Sequence, residues 1–223
     1  MTASQAATRR KTLRGPGRPA GGDAAVRAAL LQHARTLFLK HGFAEVSTRR
    51  LAAAAGTTPA MIHYYFGDKL GLYRAMLEEA MAPLLQTLQH MEQSATPPDL
   101  EALMTQYMRM LAQNRWLPAM IVKEVLGEGG QLREQFIERW ASRLAPAFVA
   151  VLQRERECGR LRAEVDPKLA AISALGLCIF PFVSLPITSR VLGLSVDGAG
   201  LERLAQHTTQ LFRHGVAARG PTA

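Results

Sequence analysis

Cysteine is scarce. Cys158 and Cys178 are the two cysteines in 223 residues. Two are too few for a secreted disulfide scaffold, and their spacing makes no metal motif. Small buried thiols account for them, with redox sensing as the minor alternative. A signal peptide is missing as well: the N-terminus is basic, but no apolar stretch follows it, which points to the cytoplasm. The chain has no phosphate-cradling glycine loop, no nucleophile elbow and no metal-ligand cluster, so an enzyme is the least supported class. The six histidines are scattered. His207 and His214 share a helix face but lack a third ligand. No metal and no cofactor is expected. No alternation convincing enough for a strand appears, and no solenoid repeat. The chain is read as all-α.

Negative charge is scarce in one place. Residues 1–74 hold 12 of the 27 Lys and Arg but 3 of the 18 Asp and Glu, so the whole net charge of +9 lies there and the remainder is neutral. Such asymmetry describes a basic module for a polyanion joined to a neutral module. Charge alone fits nucleic acid or an anionic membrane equally.

Residues 47–72, STRRLAAAAGTTPAMIHYYFGDKLGL, decide between them. Ser47 can cap a helix, because its hydroxyl accepts from an orphan backbone N–H. Good helix formers follow, and Gly56 stops them. Thr57 or Thr58 can cap a second helix, with Pro59 in its first turn, where a missing N–H costs nothing. Gly67 ends that helix, and Asp68 can cap the next. Helix, tight glycine turn, helix is the shape of a helix-turn-helix, whose second helix lies in the DNA major groove. Two short helices of any bundle would show the same punctuation. The polar-aromatic His63, Tyr64 and Tyr65, the flanking Arg49, Arg50 and Lys69, and the local positive charge favour DNA.

Gly42, Phe43, Ser47, Leu51, Ala52, Ala55, Gly56, Ile62, Tyr64, Tyr65, Phe66, Lys69 and Leu72 together resemble the DNA-binding domain of the TetR (tetracycline repressor) family of bacterial transcription regulators. The resemblance covers about residues 23–77. Beyond that, the chain is similar only in length and helical character. The resemblance and the helix geometry together offer Thr58, Pro59, Ala60 and His63 to base edges, where Pro59 and Ala60 can touch thymine methyl groups. Ser47, Arg49, Tyr64, Tyr65 and Lys69 are the candidate phosphate contacts. Several positions depart from the family: His63 where tyrosine is usual, Tyr65 where histidine is frequent, Arg50 where an acidic residue is common. Met61 replaces a small hydroxyl residue, so it either packs or contacts DNA. Leu51, Ala52, Ala55, Ile62 and Phe66 are core.

The rest of the chain reads as helices. Residues 1–22 are a disordered basic arm, and 14–19 resemble a minor-groove hook with a Gly-Arg-Pro core. Residues 23–41 form a first helix with Val26, Leu30, Ala34, Leu37 and Phe38 on one stripe. A long helix over 68–93 should kink or split at Pro83. Further helices are expected over 99–115, 117–126 and 131–158, with Pro146 as a kink. Residues 169–188 carry no charge; a buried helix explains them better than a membrane span. The last helix covers 201–214.

The head is therefore placed at 23–67, a helical ligand-binding and dimerisation domain at 68–215, and a flexible tail at 216–223. Met104, Tyr107, Met108, Trp116, Met120, Trp140, Phe148, Cys178 and Phe182 are candidates to line an effector cavity, although Met and aromatic stripes are more often core. Glu124 should meet a cationic ligand or pair with an arginine such as Arg133. Leu169, Ile172, Leu201, Leu204, Thr208, Leu211 and Phe212 are candidates for a four-helix dimer interface, an arrangement the resemblance also implies. The expected partners are a double-stranded DNA operator, a second copy of the chain and an unknown small-molecule effector, with no membrane. The function that follows is a sequence-specific regulator, a repressor released by its effector. The alternative is a nucleoid-type protein that binds DNA without ligand control.

Overall fold

The computed structural model describes residues 20–93, 99–128, 130 and 132–217. Nearly all of the expected arm, its hook at 14–19 included, lies outside them, as does the tail beyond 217. Helix α1 (Ala20–His41) buries Leu30, Ala34 and Phe38 completely, and ends where Gly42 takes φ +87°. Helix α2 (Thr48–Ala54) is capped by Ser47, whose Oγ accepts from the Arg50 N–H at 3.2 Å. Such a cap is worth about 1 kcal/mol. The chain turns at Gly56, φ +64°, into α3 (Pro59–Phe66). Thr58 has the backbone of a cap, but its hydroxyl makes no capping bond. Helix α4 (Lys69–Gln93) opens with the Gly71 N–H donating to Asp68 Oδ1 at 2.6 Å. A Cβ at Gly71 would stand 1.8 Å from the Phe66 carbonyl oxygen, so this turn requires glycine.

The body differs from the helices expected from the sequence in four places. Helix α4 runs through Pro83 unbroken. Helix α5 (Leu100–Gln113) is followed by α6 (Trp116–Met120), which passes into a π-helical segment, Ile121–Leu126. The expected helix over 131–158 is α7 (Arg133–Phe136), a second π segment, Ile137–Ala141, and α8 (Ser142–Glu157), which contains Pro146. A π turn carries one extra residue, which an apolar stripe at ordinary spacing does not reveal. The uncharged stretch is two helices, α9 (Pro167–Val183) and α10 (Leu185–Val191), bent by 68°. Pro186 has no N–H to continue α9, so the helix stops at Ser184. Among the described residues no single helix is long and apolar enough to cross a membrane. Helix α11 (Gly198–Val216) closes the body against α5 and α9.

One apolar core runs from Leu30, Phe38, Leu51 and Ile62 in the head, through Leu72, Tyr73 and Met76 of α4, to Trp140, Phe148 and Phe212 in the body. Helix α1 packs on α2, α4 and α6, so it belongs to both parts. The rings of Phe38, Phe43 and Tyr73 meet there, with centroids 5.4 to 6.0 Å apart.

Candidate nucleic-acid interface

Helix α3 has one buried residue, Ile62, with Met61, Tyr65 and Phe66 half-buried against the core. Its other side, Pro59, Ala60, His63 and Tyr64, faces solvent together with Thr58. Tyr64 is 66% exposed, with its ring edge-on to that of Tyr65 and the centroids 4.9 Å apart. Ser47, Arg49 and Arg50 are exposed on the same unit. His63 Nδ1 lies 2.5 Å from the Gly67 carbonyl oxygen. A carbonyl only accepts, so Nδ1 carries the proton, and Nε2 is an acceptor whenever the ring is neutral. That polarity suits an exocyclic amino group of adenine or cytosine in the major groove. Sequence reasoning identified His63 as a hydrogen-bonding residue, not which atom it offers; the i+4 carbonyl of Gly67 carried that information.

Two of the five candidate phosphate contacts turn inward. The Tyr65 hydroxyl donates to Asp23 Oδ1 at 3.0 Å, which fastens α3 to α1. Lys69 Nζ donates to the Phe43 carbonyl at 2.9 Å and sits 4.3 Å from the centre of the Phe43 ring. Both residues hold the head together here, and Ser47, Arg49 and Tyr64 remain on its surface. Arg50 approaches His41 Nε2 at 2.7 Å. Desolvation, then the positive charges of Arg50, Lys40 and Lys123, hold the His41 pKa below its ordinary value.

The head meets the body through Glu124, 8% exposed. Its Oε1 accepts from the Phe43 N–H at 3.2 Å, across 81 residues of sequence. Arg133, the arginine offered as its partner in place of a cationic ligand, donates to the carbonyls of Val125 and Gly127 at 2.9 and 2.8 Å. Glu124 therefore serves the junction between head and body.

Residues 30–76 match the model of bacterial regulatory proteins of the tetR family. Residues 98–216, more than half of the chain, match the tetracyclin repressor-like C-terminal domain. The chain belongs to the TetR family. It is a DNA-binding transcriptional regulator, and α2 and α3 are its helix-turn-helix. Curated relatives include the HTH-type transcriptional repressor AcnR of Corynebacterium efficiens, 36% identical over 62 residues, which are 28% of this chain and 33% of that protein. AcnR of Corynebacterium diphtheriae is 26% identical over 140 residues, 62% of this chain and 70% of that one. The chain thus spans a third of the first relative's length and about two thirds of the second's. Among solved structures, the ketosteroid regulator KstR2 of Mycobacterium tuberculosis has a TM-score of 0.67 at 18% identity, covering 86% of this chain and 95% of that one. NalD of Pseudomonas aeruginosa, the secondary repressor of the MexAB-OprM multidrug efflux pump, has 0.68 at 20%, covering 89% and 100%. These likenesses show the fold.

In this TetR body most of the residues expected to line a cavity pack into the core. Met104, Tyr107, Met108, Met120, Trp140, Phe148, Cys178 and Phe182 are all buried. Trp116 is half-buried beneath the Arg35 guanidinium at 5.7 Å. Burial pushes the Cys178 thiol up to about 12. A groove of about 570 Å³ opens elsewhere, between α4 and α8, lined by Leu85, Leu88, Gln89, Arg143, Pro146 and Ala147 among others. Among the described residues no group of three or more His, Cys, Asp or Glu could hold a metal ion.

The candidate dimer residues divide. Leu169, Ile172 and Leu211 are 66%, 68% and 53% exposed. Thr208 and Phe212 are buried within the subunit, whose α11 packs on α5 and α9, and Leu201 and Leu204 are half-buried. The apolar exposure continues instead along Phe180, Ile187, Val191 and Leu192. Helix α10, which brings Ile187 and Val191 to the surface with Leu192 at its C-terminal cap, was missed because residues 169–188 read as one helix.

Proposed function

We propose that this protein is a repressor that binds a palindromic operator as a homodimer and leaves it when a small molecule occupies the body. The carrying observation is the solvent face of α3: Thr58, Pro59, Ala60 and the His63 Nε2 acceptor project together from the basic end of the chain. Base edges are read by such a surface, while Ser47, Arg49 and Tyr64 are suited to position it through phosphates. The apolar surface of α9, α10 and α11 supports a second copy, because contiguous exposed apolar residues on this scale mark an interface. Repression is the activity named for the AcnR relatives and for NalD. Effector control is supported by the solved complex of SmeT with triclosan, whose fold this chain shares. The effector would occupy the body, and the groove between α4 and α8 is large enough for a small molecule.

The test is binding to the DNA upstream of the protein's own gene, against a scrambled duplex, over a salt series. A preference of about a thousandfold or more is expected. Equal affinity for both duplexes, combined with no selective site in a genome-wide binding map, would instead make it an architectural protein.

A further inference from the structure

The Phe43 peptide is held from both sides. Its N–H donates to Glu124 Oε1 at 3.2 Å, and its C=O accepts from Lys69 Nζ at 2.9 Å. Phe43 opens the loop that leads to the Ser47 cap, so whatever fixes this peptide fixes the start of α2, and through it α3. One of the two clamps, Lys69, belongs to α4 next to the head. The other, Glu124, belongs to the body and lies in the π-helical segment Ile121–Leu126.

A second hydrogen-bond donor lies against the same residue, Phe43. Tyr73 is fully buried, packs its ring on Phe43 at 5.5 Å, and its hydroxyl has no hydrogen-bond partner among the described residues. Burial, and then the Glu124 charge, raise the pKa of this hydroxyl, so it stays protonated and able to donate. Native structures rarely leave a buried hydroxyl unsatisfied, and such a group calls for a reason. The π turn supplies a means of movement. It holds one residue more than an α turn, and its conversion to α-helix would rotate the residues beyond it by about 100°.

We propose that Glu124 is a positioning residue with two berths: the Phe43 N–H in the operator-binding state, and the Tyr73 hydroxyl in the released state, with the segment Ile121–Leu126 carrying it between them. This rests on the regulator reading above and adds its switch. Gly42 fits the first berth closely, since a Cβ there would come within 3.0 Å of Glu124 Oε1. When Glu124 leaves, the Phe43 N–H at the half-exposed turn can turn to water, while the buried Tyr73 hydroxyl gains a partner. The exchange therefore satisfies both donors and loosens the head.

The two berths make opposite predictions. Glu124→Gln weakens the acceptor for Phe43, so operator affinity falls by about five- to tenfold or more and the Phe43 amide exchanges faster with solvent. Tyr73→Phe removes the second berth, so operator affinity stays or rises, and Phe43 exchange slows. Affinity for a scrambled duplex at low salt stays the same in both variants, which checks that the head is folded. Wild-type behaviour of Glu124→Gln in operator binding and Phe43 exchange would overturn the proposal. So would a loss of operator affinity in Tyr73→Phe equal to that in Glu124→Gln, as a merely structural pair would show. Phe43 exchange is measured in the free protein. If the wild type failed to distinguish operator from scrambled DNA, the regulator reading would fall while the exchange data still judged the berths.

Discussion

His63 shows how one short hydrogen bond changes what a side chain can read. With Nδ1 committed to the Gly67 carbonyl, the outward nitrogen accepts and cannot donate while the ring is neutral. A lone acceptor distinguishes a base with an amino group from one without, and one such hydrogen bond is worth about 1 kcal/mol. His63→Ala should therefore flatten the preference at one base pair in each half-site, leaving the other positions and scrambled DNA nearly unaffected. Competition with single-base operator variants checks this. A uniform loss across all duplexes would reassign His63 to the backbone. The cysteines allow a simpler test. Cys158 is exposed, while Cys178 is fully buried with its thiol pushed up to about 12. The thiolate is the reactive form. At pH 8 the native protein should present one thiol to a disulfide reagent, and two after denaturation. Two fast thiols in the native state would show that the core around Cys178 opens.

At the scale of elements, α9 and α10 form a surface that the subunit does not use. Leu169, Ile172, Phe180, Ile187, Val191 and Leu192 are exposed, whereas Ala170, Ala171, Ala174, Cys178 and Phe182 face the core. Charging the outer side should thus leave the fold intact, since exposed substitutions usually shift stability by less than about 0.5 kcal/mol. Ile172→Glu with Phe180→Glu should halve the mass seen by light scattering, keep the helical circular dichroism, and lose operator affinity. Phe212→Glu is the contrasting change: Phe212 is buried inside the subunit, so it should unfold the body instead of releasing a monomer. A Phe180→Glu pair variant that stays dimeric would move the interface elsewhere. The head elements were legible because their signals act within a turn: Ser47, Gly56, Gly67 and Asp68 each act on a neighbour no more than a few residues away. The Glu124–Phe43 bond spans 81 residues and is set by tertiary packing, so no local pattern announces it. The π segments were hidden for a related reason, since one inserted residue only blurs an apolar stripe. In α11 the candidate interface residues mix inward Thr208 and Phe212 with outward Leu211, and only packing tells the two faces apart.

The whole molecule behaves as a rigid reader if the path from head to interface is stiff. Helix α4 is continuous through Pro83. Arg27 and Arg35 of α1 pair with Glu79 of α4 at 2.7 and 2.9 Å. Exposed pairs of this kind contribute little energy; the packed rings of Phe38, Phe43 and Tyr73 and the shared core do more to keep the head in place. A dimer of such subunits presents two α3 helices at a fixed separation, roughly 34–36 Å for successive major grooves. The second head binds at the effective concentration set by the first, which is worth about 10²- to 10⁴-fold in affinity when the geometry fits and nothing when it does not. Inserting about 5 base pairs at the centre of the operator turns one half-site to the opposite side of the duplex. Affinity should then fall toward that of a single half-site, although every base contact is still available. Footprinting should show one protected half-site at a time. Inserting about 10 base pairs restores the phase but adds a full turn of separation, and a rigid dimer should not recover. Full recovery at that spacing would mean that the heads swing freely, and control by an effector acting on head spacing would have no fixed geometry to change.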